Sequence, residues 1–182
     1  MILVAGSANL DFVVRAPHIP APGETVLGYE FKTYPGGKGA NQAIACARAG
    51  GAATTMLLAL GNDAYAVPLE DSLNAAGVRL HIKRVKDQPT GTAFICVSDD
   101  AENAITVAPG ANNFLQPDDM VLPPELAEFT HLLLQLETPM DTVTAFARAA
   151  RQQGVKVVLN AAPAQSLSSE LLALVEIGRA HV

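Results

Sequence analysis

The chain has 182 residues, 49% of them apolar and 16% charged, and carries a net charge of −6. That length suits one domain with a real core, or a piece of a larger one, and the composition excludes an intrinsically disordered segment. The acidic balance, with no local Lys/Arg cluster, offers no electrostatic footprint for nucleic acid, and the apolar runs are far too short to span a bilayer.

The N-terminus, Met1–Ser7, has neither the basic start nor the apolar stretch of a signal peptide. Cys46 and Cys96 are the only cysteines, one in an expected helix and one in an expected strand. They read as buried reduced thiols, so a soluble cytoplasmic protein is expected.

Ile2–Ala5 is an apolar run ended by Gly6-Ser7 and predicts a buried strand. Asn9 and Asp11 follow, two residues apart, so in an extended segment they share a face. An amide and a carboxylate there can hold vicinal hydroxyls, or simply form an Asx turn. Glu24–Tyr34 alternates, with Leu27, Tyr29 and Phe31 against Gly28, Glu30 and Lys32, which predicts a strand with one dry face.

Gly36-Gly37-Lys38-Gly39-Ala40-Asn41-Gln42-Ala43 is the densest signal in the chain. Glycines let the backbone approach a ligand closely, and the following helix, expected up to Ala49, aims unpaired N–H groups back at the turn. Lys38 and Asn41 add a charge and an amide. The turn is no Walker A loop, because Gly39 stands where Ser or Thr should follow Lys38, and no G-x-G-x-x-G dinucleotide fingerprint occurs after the first strand.

Thr54–Leu60 predicts a second buried strand and Tyr65–Ala76 a helix stopped by Gly77. Thr90–Ser98 and Asn103–Val107 predict a further antiparallel pair, outside the parallel core sheet. His131–Leu136 and Val155–Leu159 are again continuous apolar runs. Between them Pro139–Gln153 predicts a helix with Thr138 as N-cap and Met140, Val143, Ala147 and Ala150 on one face. Such strands separated by helices argue for a parallel sheet covered on both faces. Glu137, at a strand end, could accept from a ligand hydroxyl or favour the start of the next helix. Asn160-Ala161-Ala162-Pro163-Ala164 could line the same crevice or merely turn the chain. The four histidines show no ligand spacing, so metal or triad chemistry is not expected.

Taken in order, Gly6-Ser7-Ala8-Asn9-Leu10-Asp11, Pro22-Gly23-Glu24-Thr25, the Gly36–Ala43 turn, Thr90-Gly91-Thr92-Ala93, Gly110-Ala111-Asn112, Gln135-Leu136-Glu137 and Asn160–Ala164 resemble the ribokinase (PfkB-type) family of carbohydrate kinases. The resemblance implies a three-layer α/β/α domain with a small antiparallel β lid, within about residues 24–34 and 90–107, and often dimers formed through the lids. It implies transfer of the ATP γ-phosphoryl group to a primary hydroxyl of a sugar, ribose to ribose 5-phosphate in the first instance, with Mg²⁺ and often a monovalent cation such as K⁺. Fructokinase, another sugar or nucleoside kinase, and a non-catalytic sugar-binding remnant are the alternatives. Carried over, Asn9, Asp11, Gly37, Lys38, Asn41 and Glu137 would form the sugar shell, and Ala93 and Val107 the apolar contacts of the lid.

The family's glycine-rich turn with the catalytic Asp, and its Asn-x-x-Glu segment, do not occur in this sequence, so no catalytic residue is named and the chain by itself is expected to be inactive. Residues 1–175 are expected to be the N-terminal part of the kinase domain. Residues 176–182, which match the translation of a common sequencing adapter, are expected to be a non-native tail. A sheet lacking its remaining strands is expected to leave an open edge and an uncovered apolar face, and hence an aggregation-prone chain.

Overall fold

The structure is a computed structural model, and it describes residues 1–120 and 125–179. Its core is a six-stranded sheet of order β10-β9-β8-β1-β4-β5. The strands are β1 (Ile2–Ala5), β4 (Thr54–Gly61), β5 (Arg79–Val85), β8 (His131–Leu134), β9 (Lys156–Asn160) and β10 (Ile177–Arg179). All neighbours are parallel. The chain leaves β1 to build β4 and β5 on one side, then returns to build β8, β9 and β10 on the other. Strand order therefore reverses between β1 and β8, which opens a crevice at their carboxyl ends.

Alternation along the strands fills the layer on each face. Leu3, Leu57, Leu132, Leu134, Val157 and Leu159 pack with Val143, Phe146, Ala147 and Ala150 of α3 (Met140–Gln152). Val4, Met56, Leu58 and Leu60 pack with Ala40 and Ala43 of α1 (Lys38–Gly50) and with Leu69 and Leu73 of α2 (Ala66–Ala75). A short fourth helix, α4 (Ser169–Leu174), adds Leu171 to the α3 side. The expected three-layer α/β/α arrangement is present. On the α1 side the far strands are less covered: Leu133 and Val158 are only half-buried and Ile177 is exposed. Glycines with positive φ end the helices as expected, at Gly51, Gly77 and Gly154. The helix after Glu137 begins one residue later than expected, at Met140, and Thr138 makes no cap hydrogen bond.

A second sheet, of order β3-β2-β6-β7, stands on the carboxyl edge of the first. Its strands are β2 (Asn9–Ala16), β3 (Glu30–Gly36), β6 (Gly91–Ser98) and β7 (Asn103–Ala108). The expected antiparallel lid is a mixed sheet, because β2 and β6 pair in parallel while β3 and β7 are antiparallel to them. The reason is topological: β2 follows β1 and β6 follows β5, so both leave the same edge of the core and run the same way. The long central strand β2 is itself an addition to the sequence expectation. The strand expected from Glu24 begins only at Glu30, since β2 ends at Ala16, before Pro17, and leaves residues 24–28 no partner. Its apolar face is not dry. Phe31 and Phe94 lie on the outer side of the lid, 63% and 54% exposed.

Ile177–Arg179, within the segment expected to be a non-native tail, pairs with β9, and Arg151 forms an ion pair with Glu176. The last three residues of that expected tail lie outside the described residues.

Candidate functional site

The turn from β1 into the lid, Gly6–Asp11, and Glu137, three residues past the end of β8, meet at the crevice where strand order reverses. The start of α1 closes against them. Gly37 has φ +94°, a conformation that favours glycine, and a Cβ there would lie 2.7 Å from Ala8 Cα. A Cβ on Gly39 would lie 2.7 Å from the backbone N and O of Ser7. A Cβ on Gly36 would meet Asp11 Oδ2 at 2.2 Å. The three glycines are thus contact surfaces, each admitting a different part of the Gly6–Asp11 segment.

Glu137 is held on three sides. Ser7 Oγ donates to Oε2 (2.6 Å), the Lys38 backbone N–H donates to the same oxygen (3.2 Å), and Lys38 Nζ lies 2.8 Å from Oε1. Gly39 N–H donates to Ser7 Oγ and Ala40 N–H to Ser7 O. The expectation of unpaired N–H groups at the start of α1 is therefore corrected. Its first donors are taken by Ser7 and by a carboxylate of the chain itself, which supplies the negative charge that a helix start favours. Of the two sequence readings of Glu137, the one that set it against the next helix is replaced: it serves α1, not α3.

Asp11 is half-buried and faces this pair. Burial first, and then the charge of Glu137, raise its carboxyl to about 6, with Lys38 opposing. On the far side, Ala93, Ile95, Ile105 and Val107 of β6 and β7 form an apolar roof. Register explains why they share a face with Asp11: Asp11 pairs with Ala93, Ala93 with Val107, and Ile95 with Ile105.

All eight residues singled out from the sequence, Asn9, Asp11, Gly37, Lys38, Asn41, Ala93, Val107 and Glu137, line this one cavity of about 130 Å³. Ile95 and Ile105 complete it and were not singled out, although the period of two from Ala93 and Val107 points to them. A larger hollow of about 590 Å³ shares Lys38, Ile105, Val107 and Glu137 and continues past Pro139 to Pro163 and Gln165. So the Asn160–Ala164 segment borders the neighbouring hollow through Pro163, not the small cavity. Among the described residues no group of three or more His, Cys, Asp or Glu could hold a metal ion, and no helix is long and apolar enough to cross a membrane. Cys46 and Cys96 are free thiols.

Residues 1–179 match the family described as pfkB family carbohydrate kinase. The chain is 42% identical over 180 residues to ribokinase of Haemophilus influenzae, covering 97% of this chain and 58% of that protein. It superposes on ribokinase of Thermotoga maritima with a TM-score of 0.88 and 35% identity, covering 98% of this chain and 58% of that one. For Arabidopsis thaliana ribokinase, solved with ribose and ATP, the TM-score is 0.85 at 31% identity, over 98% and 59% of the two chains. The chain spans less than two thirds of the length of these relatives.

Proposed function

The chain belongs to the pfkB family of carbohydrate kinases, and from that premise we propose that it is part of an ATP-dependent sugar kinase that phosphorylates the primary hydroxyl of D-ribose to give ribose 5-phosphate. The observation that carries this reading is the small cavity, in which acceptors, donors and an apolar roof converge on a volume of about 130 Å³. Carboxylate and amide groups at Asp11, Asn9 and Asn41 suit several adjacent hydroxyls, and the aliphatic roof suits the C–H faces of a sugar ring. Lys38 and the start of α1 orient Glu137, so its remaining acceptor capacity has a fixed direction. The adjoining hollow offers the side from which a phosphoryl donor would approach.

The whole enzyme is proposed to use ATP with Mg²⁺ and a monovalent cation such as K⁺. Among the described residues no cluster of three or more His, Cys, Asp or Glu offers such an ion a site. Glu137 is already engaged by Lys38 and Ser7. The general base and the nucleotide contacts are proposed to lie in the part of the relatives' length that this chain does not span, with residues 1–175 as the sugar-binding side of the domain. The cytoplasm is the proposed compartment, in keeping with two free thiols. A homodimer through the lid is proposed because Phe12 stacks between Phe31 and Phe94 on the lid's solvent side, an aromatic cluster that a second copy would cover.

Calorimetric titration of the chain with D-ribose, D-fructose and adenosine tests the reading. Saturable binding of D-ribose in preference to the others is expected, with no ATP turnover. Preference for fructose or adenosine would move the assignment to another member of the family. A folded chain that binds no sugar overturns it.

A further inference from the structure

Asn112 lies outside the cavity, in the 3₁₀ turn Gly110–Phe114 that follows β7, and is 1% exposed. Its amide is fully engaged with a segment about a hundred positions earlier. Oδ1 accepts from the Ala8 backbone N–H (3.0 Å), and Nδ2 donates both to Ala8 O (3.2 Å) and to Asn9 Oδ1 (2.8 Å). A peptide N–H can only donate and a peptide carbonyl can only accept. The backbone of Ala8 therefore fixes which end of the Asn112 amide is nitrogen, and Asn112 in turn fixes which end of the Asn9 amide is oxygen.

The surroundings enforce that pairing. A Cβ on Gly91 would lie 2.2 Å from Asn112 Nδ2 and 2.3 Å from Asn9 Oδ1, so only glycine leaves room for the hydrogen bond between them. Gly91 stands opposite Asn9 in the β2–β6 register. Ala111 N–H donates to Pro89 O (2.8 Å), which ties the Asn112 turn to the root of β6.

We propose that Asn112 is a positioning residue that holds the Asn9 amide with its oxygen turned away and its Nδ2 toward the cavity, making Asn9 a hydrogen-bond donor beside the acceptor carboxylate of Asp11. The consequence for ligand choice rests on the sugar reading of the cavity. The favoured ligand places an oxygen with a free lone pair against Asn9 next to a hydroxyl that donates to Asp11. Two acceptors side by side would accommodate a different pair of substituents.

In Asn112→Asp the Ala8 N–H keeps an acceptor, but the side chain has no hydrogen for Asn9 Oδ1. The Asn9 amide turns over and shows its oxygen to the cavity. The expected result is D-ribose affinity weaker by about tenfold or more in calorimetry, with loss of the ribose-induced shift of the Asn9 side-chain amide in ¹H–¹⁵N spectra. Gly91→Ala should produce the same loss by a steric route. A merely structural role would lower thermal stability without moving the Asn9 amide signal.

Without any sugar, the native chain should show slow hydrogen exchange at the Asn112 side-chain amide and fast exchange at that of Asn9. The reverse order overturns the proposal, as does native D-ribose affinity in Asn112→Asp. If the native chain binds no D-ribose, the sugar reading fails alone, and the exchange order of the two amides still decides the orientation.

Discussion

Burial and the neighbouring Glu137 raise the Asp11 carboxyl from the ordinary 3.8 to about 6, and this sets two opposite dependences on pH. In the folded chain the proton is held more tightly than in the unfolded chain. The stabilisation from protonated Asp11 is thus fully present below about 4 and is lost as pH rises through about 6. Asp11→Asn should therefore melt progressively higher than the native chain as pH rises from 4 to 7. The proposed sugar binding would run the other way, because only the ionised carboxylate accepts freely from hydroxyls. D-ribose affinity should fall as pH drops through about 6, and Asp11→Asn should bind about tenfold or more weakly at neutral pH and lose that dependence. Affinity that stays level between pH 5 and 8 would remove Asp11 from the shell.

Gly39 offers a contest of known magnitudes. Alanine is favoured over glycine in a helix by about 1 kcal/mol. Here its methyl would press within 2.7 Å of the Ser7 backbone, and overpacking of that kind costs about 1–3 kcal/mol. Gly39→Ala should be net destabilising, by up to about 2 kcal/mol, in urea unfolding.

At the scale of elements, the lid is anchored at its roots. Asp63 Oδ1 accepts from the N–H groups of Tyr65 and Ala66, which begin α2, and its Oδ2 accepts from Thr90 N–H (2.7 Å), where β6 leaves the core. Thr90 Oγ1 accepts from Gly61 N–H at the end of β4. One carboxylate thus joins a helix start to a lid strand. Asp63→Ala should cost about 1–2 kcal/mol and speed hydrogen exchange at Thr90 and Gly91. A lower melting temperature without faster exchange there would mean that Asp63 serves the helix alone.

The elements legible in the sequence were those whose pattern was pure. The unbroken apolar runs of β1, β4, β8 and β9 announce strands buried on both faces. The strand β5 escaped because Arg79, His81 and Lys83 alternate with Leu80 and Ile82. It is an edge strand with one charged side, and such a pattern does not read as parallel. The direction of β2 relative to β6 was beyond local reasoning, since it depends on both strands leaving one edge of the core. Among the residues that line the cavity, Asn9, Asp11, Gly37, Lys38, Asn41 and Glu137 were legible through glycine density and polar residues at strand ends, whereas Ala93 and Val107 came only from the family resemblance. Ser7 and Asn112 stood in the resembling segments, but their roles were not legible, because what they do depends on partners 130 and 104 positions away.

For the whole molecule, the outer lid face carries one open apolar patch, where Val14, Phe31 and Phe94 are exposed around Phe12. Tyr65 of the core meets the edge of Phe12, so the patch continues to the lid's root. Contiguous apolar surface of this kind drives association. The native chain should elute as a dimer or larger at micromolar concentration, and Phe94→Asp should shift it to monomer while D-ribose affinity is retained, since Phe94 points away from the cavity. A native chain that elutes as a monomer at all concentrations contradicts the lid-mediated dimer.

The hydrogen bond between Ser7 and Glu137 spans 130 positions of sequence, and this places the cavity late in the time course of folding. Closing so long a loop costs entropy before any contact rewards it, and parallel sheets assembled in non-sequential order fold slowly. Local pairs such as β6 and β7 need close only a short loop, but the walls of the cavity come together only when β1 and β8 lie side by side. A sugar that binds there has nothing to grip in the unfolded chain and little in the transition state. In stopped-flow experiments D-ribose should slow unfolding and leave the refolding rate almost unchanged.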